Sequence, residues 1–183
     1  ITKQLIKKAN EINSNEDFFD EKIIKNTLII NIQGDQPFLD PLLLKNMVDF
    51  CFSSNTIPLL TTPIYKLERK EIHNPNVVKT LINKKNQAIY FSRSAIPHIR
   101  GVDPEDWHKH NTYYGHVGIY GYRADILLKW FDLDSSNLEN CEKLEQLKLI
   151  DSGYKYETFL TNSHCLSIDT EKQFLEAQRR IKS

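Results

Sequence analysis

Glycine is scarce in this chain, with six in 183 residues. Neither G-x-x-x-x-G-K-[ST] nor G-x-G-x-x-G occurs, so no self-contained glycine-rich phosphate loop is present. An excess of charge is also lacking. Lys plus Arg equals Asp plus Glu at 24 each, which removes the basic surface that non-specific nucleic-acid binding needs. No apolar run approaches a membrane span and no signal-peptide pattern is visible. The expected partners therefore include neither nucleic acid nor membrane, and the expected location is the cytoplasm. Cysteine is rare. Cys51, Cys141 and Cys165 form no C-x-x-C pair, each has apolar neighbours, and reduced core thiols are expected. The first residue is Ile1 rather than methionine, so the chain is expected to be processed, trimmed or part of something longer.

What is present reads as alternating helices and strands. Leu5, Ile6, Ala9 and Ile12 share one helical face. Residues 13–26 are polar and read as a loop or a short irregular helix. "TLIINI" is nearly all apolar and β-branched, the mark of a strand covered on both faces, as in a parallel sheet. Helical spacing returns at 41–54, with Pro41 suited to a first turn. Strands are expected at 58–65, 77–82, 88–92 and 114–122. The glycines among aromatics in the last of these predict a close backbone approach. Ser136 and Glu139 form a capping box for a helix over 138–151, which Gly153 ends. Short strands at 154–159 and 163–168 and a helix from Thr170 complete an α/β pattern in one domain.

Several polar residues stand where ligands bind in such folds. Asp35 follows an apolar strand in "LIINIQGDQPFLDP", where Gly34 lets the chain turn and Pro37 stops the strand. Ligands bind beyond the carboxyl ends of strands, so Asp35 is either a magnesium ligand or the organiser of an Asx-turn. Asp169 follows a strand as well and is either a ligand or a helix-start carboxylate favoured by the macrodipole. Glu145 lies near an apolar helical stripe, snorkelling to solvent or held by a partner. His116 sits in a strand as a core histidine or a binding group. The "HKH" at 108–110 has no further ligand cluster and reads as a solvated loop rather than zinc ligands.

Five segments occur in order: "NIQGDQPFLDP", "AIYFSRSAIPHIR", "HVGIYGYRADIL", "LEQLKLIDSGYKYE" and "IDTEKQFLEAQR". Together they resemble the 3-deoxy-manno-octulosonate (KDO) cytidylyltransferases, also called CMP-KDO synthetases. "YFSR-x-x-IP" and "H-x-GIY-x-YR" are similar to that branch rather than to the sialic-acid enzymes. The resemblance implies a nucleotide-diphospho-sugar transferase-like, Rossmann-like domain over residues 1–183, with a mixed, mostly parallel sheet flanked by helices. It implies CMP transfer from CTP to KDO, which serves lipopolysaccharide synthesis, with Mg2+ held by Asp35 and Asp169. It assigns substrate contacts to Gln33, Arg93, His116, Tyr120, Glu145 and Gln146. It also implies a homodimer through 92–122, a segment with Trp107 and several tyrosines, residue types that interfaces favour.

Two departures stand against the pattern. Gln36 replaces the glutamate of the usual "QGDEP", and the family's N-terminal strand and triphosphate-holding loop have no counterpart here. The resemblance thus implies an N-terminally truncated form, inactive alone. The alternatives are a cytidylyltransferase for another sugar acid, such as a sialic acid, and a non-catalytic relic that dimerises or binds sugar.

Overall fold

The computed structural model describes residues 21–34, 39–162, 171, 175, 178 and 179. The expected helix at 1–12, the strand at 163–168, Asp35, Asp169 and Cys165 lie outside them. Glu171, Leu175, Gln178 and Arg179 are helical and exposed, and the expected helix start at Thr170 lies outside the described residues.

In chain order the elements are α1 (Glu21–Lys25), β1 (Leu28–Ile32), α2 (Pro41–Cys51), β2 (Leu60–Lys66), α3 (Arg69–Ile72), β3 (Lys79–Ile82) and β4 (Gln87–Ser92). A 3-10 helix (Pro104–Lys109), β5 (Tyr114–His116), β6 (Ile119–Arg123), α4 (Ala124–Trp130), α5 (Asn137–Glu142), α6 (Leu147–Asp151) and β7 (Tyr156–Leu160) follow. Among the described residues no helix is long and apolar enough to cross a membrane.

The seven strands form one mixed sheet, but it is not mostly parallel. Among the described strands only β2 and β7 pair in parallel, and every other pair is antiparallel. The connections explain this. Four residues join β3 to β4, which pair with each other, whereas a parallel crossover needs about a dozen or more. β5 and β6 lie end to end along one edge of β2, and β7 lies along the other. Buried Thr62 fixes the break between them by donating from Oγ1 to the Ile119 carbonyl at 2.9 Å. β1 pairs with β6 alone among the described strands. Its Leu28–Ile30 are half-buried and Ile32 is 44% exposed, so this apolar run is less enclosed than its composition predicts.

Strand alternation sorts the sheet into two faces. On β6, Ile119 turns to α2 and packs with Leu43 and Met47, while Tyr120 and Tyr122 turn to the opposite face. There they meet Phe91, Tyr156, Ile126, Leu144, Leu147 and Leu149. Gly121 is the close approach expected from the sequence. A Cβ there would stand 2.5 Å from Thr61 Cγ2 and 2.8 Å from Met47 Cε, so any side chain would force Thr61 and the Met47 side chain to move. α2 starts as expected, with Pro41 in the first turn and Asp40 accepting from the Leu42 amide at 2.8 Å.

The helix expected over 138–151 is two helices. Lys143 adopts φ 56 and ψ 47 at the end of α5, and the chain turns before α6 begins. Ser136 caps α5 by accepting from the Glu139 amide, and its hydroxyl donates to Asp151 Oδ2 at 2.8 Å. A straight 14-residue helix is about 20 Å long, so these two ends meet only because the helix breaks.

The segment from 92 to 122 packs largely on its own chain. Trp107 and Tyr113 are buried with Ile72, flanked by Ala95, Ile99 and Val102. Its aromatic content is therefore satisfied internally and does not by itself require a partner. The cysteines also divide. Cys51 is buried and its thiol is pushed up to about 11 by burial, whereas Cys141 is exposed and is no core thiol.

Candidate functional site

The sheet face opposite α2 carries a connected set of rings. His116 lies 5.1 Å from Phe91, edge to face, and 5.1 Å from Tyr120. Tyr156 lies 5.6 Å from Phe91 and 6.1 Å from Tyr120. Tyr122 stands 6.1 Å from Tyr120, and the Asn31 side chain of β1 reaches its phenol. Because Tyr120 and Tyr122 are two residues apart on one strand, they share this face by the pleat alone.

The polar atoms of this face are unusual. His116 Nε2, Gln146 Nε2, Tyr156 Oη and Thr80 Oγ1 are buried and have no hydrogen-bond partner among the described residues. Native proteins pair most such atoms, and an unpaired one costs about 1–3 kcal/mol. Tyr156 Oη and the Tyr122 phenol lie near enough to shift one another. The residue His116 is half-buried, but its ring is enclosed and burial pushes it down to about 3, which keeps it neutral at physiological pH. The Tyr122 and Tyr156 phenols are both raised, first by burial, and the charge of Glu145 contributes to both shifts. Glu145 is therefore an exposed carboxylate at the edge of the tyrosine face. It stands in the turn between α5 and α6, not on a helix, and its mount is the Ser136–Asp151 tie.

Of the residues expected from sequence, the fold gathers His116, Tyr120 and Glu145 around these rings, with buried Gln146 next in the chain. Gln33 follows β1 immediately, half-buried, two residues beyond Asn31. Arg93 is differently engaged. Its Nε donates to the Glu142 carbonyl at 2.9 Å and its Nη1 to the Pro75 carbonyl at 3.3 Å, so these donors hold backbone. Behind it, buried Lys79 donates to the carbonyls of Asn74, Val77 and Arg93. Burial pushes Lys79 down to about 8, which leaves it protonated at neutral pH.

Sequence reading missed Tyr122, Tyr156 and Asn31. The i, i+2 spacing of Tyr120 and Tyr122 was a signal for the first, but nothing local marked the other two. Among the described residues no three His, Cys, Asp or Glu side chains come together as a metal site. Asp35 and Asp169 lie outside those residues. His108 lies in the last turn of the 3-10 helix and lines a separate open cleft of about 410 Å³ with Glu68, Arg69, His73 and Glu105.

The family model for cytidylyltransferases matches residues 13–159. The chain belongs to the cytidylyltransferase family. It is similar to the 3-deoxy-manno-octulosonate cytidylyltransferase of Bacteroides thetaiotaomicron, at 40% identity over 159 residues, covering 85% of this chain and 63% of that protein. The same-named protein of Cytophaga hutchinsonii is 40% identical over 149 residues, covering 80% and 58%. The cytidylyltransferase chain thus spans about three fifths of the length of these curated relatives. Among solved structures, CMP:2-keto-3-deoxy-manno-octonic acid synthetase complexed with CTP aligns with a TM-score of 0.74 and 30% identity, covering 85% of this chain and 61% of that one. A Bacillus anthracis glucose-1-phosphate thymidylyltransferase shares the fold at 13% identity and a TM-score of 0.54.

Proposed function

We propose that this cytidylyltransferase takes part in CMP transfer from CTP to KDO. The anomeric hydroxyl oxygen of the sugar acid bonds to the α-phosphorus, the bond to the β-phosphate bridge breaks, and pyrophosphate leaves. The observation that carries the reading is the set of buried, unpartnered polar atoms on the tyrosine face, at His116 and Gln146 above all. A polyhydroxylated acid supplies partners for them, and an apolar ligand does not. The 40% identity to proteins named for this reaction supports the same substrates.

In this reading the chain positions the sugar. Glu145, acceptor-only when ionised, takes hydroxyl hydrogens and repels phosphate. Neutral His116 and the Gln146 amide bond to the sugar's oxygens, Tyr120 packs under them, and Gln33 and Arg93 flank them. Asp35 and Asp169 hold Mg2+, which would neutralise charge on phosphate oxygens. Two copies pair through 92–122.

The test is pyrophosphate release from CTP by the gene product carrying this chain, with KDO or N-acetylneuraminate as acceptor. Release with KDO and not with the sialic acid is expected. The reverse preference assigns another sugar acid, and no release with either sugar overturns the reading.

A further inference from the structure

We propose that the Tyr156 hydroxyl is a further contact of the sugar pocket, exchanging a hydrogen bond with a hydroxyl of the bound sugar acid. The inference rests on the sugar-acid reading above. Tyr156 opens β7 and is 0% exposed. Among the described residues its hydroxyl completes no hydrogen bond, and the neighbouring Tyr122 phenol is the internal group that a ligand would have to compete with. A position that needed only the ring would be better filled by Phe, as its edge-to-face neighbour Phe91 is. An oxygen buried there without a partner is a cost, and a ligand that satisfies it removes that cost.

The hydroxyl is not isolated. His116 Nε2 is unpartnered on a ring that touches Phe91 and Tyr120, the same two rings that touch Tyr156. Thr80 Oγ1 is unpartnered directly opposite Phe91 in the β3–β4 ladder, and directly opposed residues share a face. Gln146 Nε2 is unpartnered beside Glu145, whose charge reaches the Tyr156 phenol. These donors and acceptors thus lie on or beside one patch, and among the described residues none of them completes a hydrogen bond. A site built to bond a substrate hydroxyl also rejects analogues that lack it, because its buried polar groups are then left unpaired. Tyr156 would accordingly contribute to the choice among sugar acids as well as to affinity.

The test compares the gene product carrying this chain with its Tyr156→Phe variant by calorimetric titration with KDO and by thermal melting without it. The expected result is KDO affinity weakened about three- to tenfold, with a ligand-free melting temperature equal to or above that of the wild type. Unchanged affinity overturns the proposal and leaves the hydroxyl as a packed core group or the partner of a trapped water. A lowered melting temperature with unchanged affinity overturns it in favour of a structural bond. If the wild-type gene product takes up no KDO, the sugar-acid reading itself fails, and this proposal with it.

Discussion

The Ser92 hydroxyl donates to Glu142 Oε1 at 2.6 Å across 50 residues of chain, tying the end of β4 to the end of α5. Glu142 Oε2 accepts from the Arg93 amide at 2.9 Å, and the Glu142 carbonyl accepts from Arg93 Nε. One glutamate therefore holds the bend that carries Arg93, three residues before Glu145. Glu142→Ala strips acceptors from Ser92 and the Arg93 amide and is expected to cost about 1–3 kcal/mol. Urea unfolding reads the loss, and Glu142→Gln, which keeps one oxygen, should lose less. An alanine variant as stable as the wild type would show the tie to be dispensable.

His116 predicts an acid sensitivity. Its folded-state value is pushed from 6.5 down to about 3 by burial. The unfolded chain therefore takes up a proton that the folded chain does not. The stability it contributes is fully present above pH 6.5 and is lost as pH falls toward 3, by up to about 1.4 kcal/mol per pH unit. The difference in unfolding free energy between wild type and His116→Gln should change with that sign between pH 7 and 4.5. The His116 ring resonances should stay flat between pH 8 and 5. A titration near 6.5 would mean that the ring is open to water.

For the metal, Asp35→Asn and Asp169→Asn should each weaken Mg2+ uptake, read by calorimetry with the metal alone. The Mg2+ titration should be left without saturation while far-UV circular dichroism keeps its wild-type form. Wild-type Mg2+ affinity in either variant removes that residue from the ligand pair.

The homodimer is tested by light scattering at micromolar concentration, with twice the chain mass expected. Since Trp107 and Tyr113 already sit in the chain's own core, a monomer would be consistent with their burial and would remove the dimer proposal.

Much of this was legible in the sequence, for local reasons. The strands at Leu60–Lys66 and Tyr156–Leu160, Pro41 in the first turn of α2 and the Ser136 cap all follow from residue type and period. The Lys143 break did not show, because helical spacing continues through it. What breaks the helix is tertiary: Leu144, Leu147 and Leu149 are buried together and Ser136 meets Asp151. Strand direction was misread because apolar runs look alike in parallel and antiparallel sheets. The four-residue connection between β3 and β4 is what distinguishes them there. In the site, His116, Tyr120, Glu145 and Gln146 were reached through family resemblance. Tyr156 was not, because an unpaired hydroxyl is a property of the packed structure.

The central claim is that the tyrosine face binds the sugar acid and not the nucleotide. It is tested most directly by the separate KM values for KDO and CTP in the gene product carrying this chain, with His116→Ala and with Glu145→Gln. The account predicts a KM for KDO raised on the order of tenfold in each variant, with the KM for CTP unchanged. A rise in the CTP value, or no change in either, would contradict it.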